Sequence, residues 1–177
     1  LVALARLAGW RGETAVLAKA CLAVEGATDP LMFATPERML WASRRAELLA
    51  ELPALPAFTV IGGFFGPGQR TDPADSRFPD ISDLLPDWQQ AAVARDLPRL
   101  AALASTSAER TLDLRGAGND PIRSLAADLG ALGYVIAHTG AARGLIFAAG
   151  AVPSMVLPAL RQAGLRGIVQ FSAGGSR

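Results

Sequence analysis

Apolar, strand-like runs and the helical patterns between them constrain the fold more than any other feature of this chain. Phe58-Thr-Val-Ile-Gly-Gly-Phe-Phe65 runs without interruption between Pro56 and Gly66, the pattern of a central strand buried on both faces. Tyr134–Ala137, Gly144–Ala148 and Gly167–Phe171 are shorter runs of the same kind. Helical patterns over 88–104, 107–114 and 121–132 precede the second run, with Asn119 or Asp120 as a cap, and another over 152–163 precedes the fourth. Residues 66–87, crowded with Gly, Pro, Asp and Ser, read as a long loop. The resulting order, β-α-β-β-α-β, predicts an α+β fold of the ferredoxin-like split βαβ kind.

The first third follows another rhythm. Leu1, Leu4, Ala5 and Ala8 recur at helical spacing with Gly9 as a stop, so the chain reads as beginning inside a helix, with an upstream part of the same polypeptide missing. A second helix is expected over 13–25, with Val16, Leu17, Ala20, Cys21 and Val24 as its packed stripe and Gly26 as its left-handed stop. Asp29-Pro30 pushes Asp29 out of the helical region ahead of a short strand, Leu31-Met32-Phe33. The composition of Met39–Leu52 favours a helix with Thr35 as N-cap and Pro36 at its first position. By length the chain is one ordinary domain; the family resemblance given below implies instead the remnant of one domain over 1–55 and a second domain over 56–177.

Composition narrows the function. The chain has 177 residues, 51% of them hydrophobic and 19% charged, which places it among folded domains. A net charge of +1 offers no basic field for a polyanion, so no nucleic-acid partner is expected. Cys21 and His138 are the only cysteine and histidine; this excludes an internal disulfide and a multi-Cys/His zinc site, and fits a reducing, cytoplasmic setting. Gly150, Pro153 and Pro158 interrupt the most hydrophobic stretch, Gly144–Leu160, so no membrane span is expected.

The segment His138-Thr139-Gly140-Ala141-Ala142-Arg143-Gly144 lies between two strands. Small residues there can expose backbone N–H groups to an anion, with the Thr139 hydroxyl beside Gly140; the same composition also suits a plain hairpin tip. His138 can act as a base or hydrogen-bond a substrate, or it can be a structural strand-end residue. Asp29, in Glu25-Gly26-Ala27-Thr28-Asp29-Pro30, suits a general base at a loop junction or an Asx turn.

Taken together, Thr28-Asp29-Pro30-Leu31-Met32-Phe33 after an amphipathic helix, Gly118-Asn119-Asp120-Pro121, and Leu132-Gly133-Tyr134 leading to His138–Leu145 resemble the downstream half of GHMP kinases. Glu25–Phe33 and Ala137-His138-Thr139-Gly140 resemble in particular the L-threonine kinase branch, linked to cobalamin synthesis and propanediol utilisation. The resemblance implies a kinase that uses ATP and Mg2+ to phosphorylate the hydroxyl of a small metabolite, L-threonine foremost; the alternative is a non-catalytic ferredoxin-like module that binds an amino acid or another small ligand.

Carried over by resemblance, Asp29 stands where the family's aspartate accepts or orients the substrate hydroxyl proton, with Thr28 beside it. Thr139-Gly140-Ala141 stands at the third motif, flanked by His138 and Arg143 as substrate or phosphate contacts. Many members have a second glycine where this chain has Ala142, and Arg143 offers a charge in compensation. The family's phosphate loop, Pro-x-x-x-Gly-Leu-x-Ser-Ser-Ala, would lie upstream of Leu1. The resemblance also implies that Met39–Leu52 is extended.

Overall fold

The computed structural model describes residues 2–68, 72, 74, 75, 77–116, 118–138 and 140–175. The chain is α+β with two antiparallel sheets, and it divides into two compact units: Leu1–Pro53 with Asp72–Ser76, and Ala54–Thr71 with Arg77–Arg177.

In the first unit, α1 (Val2–Leu7) ends at Gly9, φ 69°, and α2 (Thr14–Glu25) ends at Gly26, φ 71°, whose N–H reaches Leu22 O at 2.8 Å. Both stops are the left-handed glycines the sequence suggests. The packed face of α2 is rotated from the expected stripe: Ala18 is fully buried, Leu17, Cys21 and Leu22 are half-buried, and Val16 and Val24 are exposed. Alanine-rich helices carry apolar residues on every side, so periodicity alone does not select the inward face. Leu31–Phe33 is a turn rather than a strand, closed by Phe33 N–H on Pro30 O at 3.0 Å.

Met39–Leu52 is extended. Pro36 opens one 3-10 turn, Pro36–Arg38, with no side-chain cap from Thr35, and β1 (Met39–Ala42) then pairs antiparallel with β2 (Glu47–Glu51). Ala46 turns the hairpin at φ 52°, and Leu52 N–H closes its base on Arg38 O at 2.7 Å. Pairing overrides helix propensity here.

The second unit carries β3 (Phe58–Phe64), α3 (Leu85–Val93), α4 (Leu97–Arg115), α5 (Ile122–Asp128), β4 (Gly133–Ile136), β5 (Ala142–Ala148), α6 (Val156–Gln162) and β6 (Arg166–Ala173). Its sheet runs β4-β5-β3-β6 with every pairing antiparallel. On one face Ile61, Leu145, Phe147 and Tyr134 meet Leu112, Ile122, Leu125, Val156 and Leu160 in the main core. Each such side chain contributes about 1.5–3 kcal/mol by leaving water. A smaller cluster of Leu55, Ala91, Ala92 and Leu100 packs with Phe58 and Trp88.

Three element boundaries differ from expectation. The loop over 66–87 gives way to a 3-10 turn at Ser82–Leu84, and α3 starts at Leu85 rather than at Trp88. The helix break falls at 94–96, where Arg95 has φ 55°, and not at 105–106. Asp96 caps α4 by accepting from Arg99 N–H at 3.0 Å, whereas the Ser105 and Thr106 hydroxyls donate back to Ala101 O and Ala102 O and leave the helix intact. Last, α5 and α6 are shorter than the helical patterns over 121–132 and 152–163, because Gly130 (φ 65°) ends one and Pro153 precedes the other. No described helix is long and apolar enough to cross a membrane.

Candidate functional site

Thr28 and Asp29 belong to the first unit, where the hairpin holds them. Thr28 N–H donates to Ser43 O at 2.9 Å, and Trp41 Nε1 donates to Thr28 O at 2.7 Å. Thr28 is buried while Asp29 is exposed, its Oδ1 accepting from Ser43 Oγ at 3.2 Å. Arg44 ties the preceding turn, donating to Gly26 O at 3.3 Å. The anchor is therefore the β1–β2 hairpin, and not Leu31–Phe33: Leu31 is 79% exposed, and Phe33 stacks edge-on against Trp41 at 5.3 Å. Sequence reading missed Trp41 and Ser43. Their contacts span 13 and 14 residues, and only the strand register brings them to the loop.

The β4–β5 turn belongs to the second unit. Ala137 N–H donates to Ala142 O at 2.9 Å across its base, and Phe65 N–H donates to Ala141 O at 2.8 Å. His138 is exposed; its Nδ1 lies 3.3 Å from the Oγ1 of the buried Thr111, and its ring meets Phe78 edge-on at 6.0 Å. Gly140 and Ala141 are half-buried, and Thr139 lies outside the described residues.

Arg143 turns inward. Its Nε donates to Asp120 Oδ2 at 2.5 Å, and its Nη1 donates to Gly140 O and Ala142 O at 3.0 Å each. Asp120 uses its other oxygen, Oδ1, to accept from Ile122 N–H at 3.0 Å and so start α5, as the capping pattern suggests. One carboxylate thus joins Gly118–Pro121 to the turn at 138–144.

Charge around α4 is paired. Arg110 grips Asp83 with two hydrogen bonds of 2.6 Å, which hold the Asp83 carboxyl below its ordinary value and raise Arg110. The Asp80 carboxyl is lowered by the Ser82 N–H it accepts at 2.8 Å. Arg123 lowers Glu109 through its Nε–Oε1 bond of 2.8 Å and is itself raised.

A triphosphate with its magnesium needs cationic donors and oxygen ligands. Among the described residues no three His, Cys, Asp or Glu side chains gather as metal ligands. The Arg143 charge, the one cation of the turn, is already matched by Asp120. The described side chains therefore do not by themselves fit a triphosphate and its magnesium; what the turn offers a ligand is His138 and small-residue backbone. No protein-family model matches the chain, and no curated protein matches it.

Proposed function

We propose that this chain is the C-terminal part of a GHMP-type kinase, acting in the cytoplasm on the hydroxyl of a small metabolite, with L-threonine as the acceptor. In this reading its second unit is a ferredoxin-like sandwich, a view supported by the strand order β4-β5-β3-β6. The observation that carries the functional reading is the Asp120–Arg143 pair, which unites two of the three resembling segments. The extended Met39–Leu52 segment after Asp29 agrees with it.

Asp29 would accept the proton of the acceptor hydroxyl or orient that hydroxyl, since phosphoryl transfer relies chiefly on positioning. Ser43, donating to Oδ1, fixes the carboxylate and leaves Oδ2 for the hydroxyl. His138 and the Gly140-Ala141 backbone would contact the substrate or a phosphate oxygen, and Arg143 keeps the turn's shape rather than reaching out. ATP and Mg2+ would be held by the part of the polypeptide expected upstream of Leu1.

The second reading, a module that binds an amino acid without chemistry, is favoured by the internal neutralisation of Arg143. An ATP-consumption screen of the full-length polypeptide against threonine, homoserine, mevalonate and sugars separates the two. Turnover with threonine is expected; saturable amino-acid binding with no ATP consumption for any acceptor would replace the kinase with the module. Residues 1–177 alone are expected to show no turnover and no micromolar affinity for Mg-ATP.

A further inference from the structure

One buried hydroxyl decides which nitrogen of His138 carries a proton. Thr111, on α4, is 2% exposed, and its Oγ1 has two polar neighbours, Ser107 O at 3.1 Å and His138 Nδ1 at 3.3 Å. A threonine hydroxyl has one hydrogen to give and two lone pairs to receive with. The contact with Ser107 O joins two oxygens, which would repel each other without a hydrogen between them. The hydroxyl hydrogen therefore lies there, as is usual for threonine within a helix. Nothing is then left to donate to His138. A bare Nδ1 would set its lone pair against those of Oγ1; an Nδ1–H donates to them instead.

The ring is held where this bond can form. Ala137 N–H donates to Ala142 O at 2.9 Å and closes the turn just before His138. Phe78 meets the imidazole edge-on at 6.0 Å, and Arg115 Nη2 donates to Arg77 O at 2.8 Å, fixing the segment that carries Phe78. Thr111 and Arg115 are four residues apart, on one face of α4, so a single helix sets both supports of the ring.

We infer that Thr111 is a positioning residue that holds neutral His138 in its Nδ1–H form, so that Nε2 presents a lone pair to the acceptor substrate and receives a hydrogen bond from it. A neutral imidazole carries one ring N–H, and the hydrogen bond made by one nitrogen fixes the state of the other. The phosphate oxygens of ATP are acceptors only, so Nε2 in this form has nothing to offer them. An amino-acid acceptor brings donors, its ammonium and its hydroxyl. Of the two contacts open to His138 in the kinase reading, on which this part of the inference rests, the one with substrate is therefore kept and the one with a phosphate oxygen falls away. The tautomer itself does not depend on that reading.

His138 is the only histidine of the chain, so a long-range 15N–1H spectrum at about pH 9, well above the ordinary imidazole pKa of about 6.5, shows a single ring pattern. Hδ2 couples strongly to Nε2 alone, and that nitrogen is expected at the pyridine-type shift of an unprotonated nitrogen, with Nδ1 at the pyrrole-type shift. Thr111→Val keeps the shape and removes the acceptor; it should return the ring toward the Nε2–H form that free imidazole side chains favour, while Thr111→Ser should keep the parent pattern. A parent in the Nε2–H form, or a Thr111→Val spectrum like the parent's, would overturn the inference. In the full-length polypeptide, Thr111→Val should raise KM for threonine by about two- to ten-fold, with kcat and the KM for ATP little changed. A rise in the KM for ATP instead would overturn the substrate contact. No turnover by the parent with any acceptor would remove the kinase reading and the substrate contact with it, while the spectrum still decides the tautomer.

Discussion

Arg143 and Asp120 lie 23 residues apart in sequence, yet they form an ion pair whose side chains are only 11% and 2% exposed, with Nε–Oδ2 at 2.5 Å. Ion pairs elsewhere on the surface are far wetter: Arg45 and Glu47 are 61% and 56% exposed, and Arg99 and Asp87 are 54% and 48%. A pair on the surface contributes little, but a buried one is costly to halve because the survivor is left charged and unsolvated.

Asp120→Ala is therefore expected to lower stability by about 3–5 kcal/mol in urea denaturation. It strands Arg143 and removes the cap on Ile122. Adding Arg143→Met should restore part of the loss, since the unpaired charge goes with it. A double variant as unstable as the sum of both singles would show that the pair is not coupled.

A close approach of helix to strand yields the second prediction. A Cβ built at Gly133 would lie 2.3 Å from Ala101 O and 2.6 Å from Ser105 Oγ, and Ser105 Oγ also accepts from Tyr134 N–H at 3.0 Å. Backbone cannot yield as a flexible side chain does, so Gly133→Ala should cost about 2–3 kcal/mol, read from the denaturation midpoint. A midpoint within error of the parent would mean that α4 and β4 slide apart freely.

The four strands of the second unit were legible because each is an apolar run of the right length, and β3 carries no charge to betray an exposed face. Helix ends were less so. Asp96-Leu97-Pro98 is a readable start signal that competes with Ser105-Thr106, and only the structure shows those hydroxyls folded back onto their own helix. Asp120 could be read as a cap, but its grip on Arg143 could not, because that contact depends on the register Ile136↔Arg143 between β4 and β5. The anchoring of Asp29 by Ser43 was hidden for the same reason.

Acid should weaken the second unit through its paired carboxyls. Asp83 and Glu109 are held below their ordinary values by Arg110 and Arg123. A carboxyl lowered on folding adds stability above its unfolded pKa, near 4, and that stability disappears as pH falls through the lowered folded value. Melting temperatures of the parent and Arg123→Gln should differ at pH 7 and converge as pH falls through the lowered folded value of Glu109. A gap that is constant with pH would assign the Arg123 contribution to packing rather than to its charge.

Asp29 carries the catalytic expectation. It is exposed, and its Oδ1 accepts from Ser43 Oγ, a bond that asparagine's own Oδ1 can keep. In the full-length polypeptide Asp29→Asn should leave the melt unchanged while kcat with threonine falls by roughly 10² to 10⁴, the range for a lost general base. Ser43→Ala, which frees the carboxylate without removing it, should cost less in kcat, because the Oδ1 contact that orients the carboxylate is gone. An Asx-turn residue predicts otherwise: asparagine serves such a turn as well as aspartate, so Asp29→Asn would keep nearly full activity. Wild-type kcat at unchanged stability would remove Asp29 from the reaction and, with it, the match between this loop and the kinase aspartate.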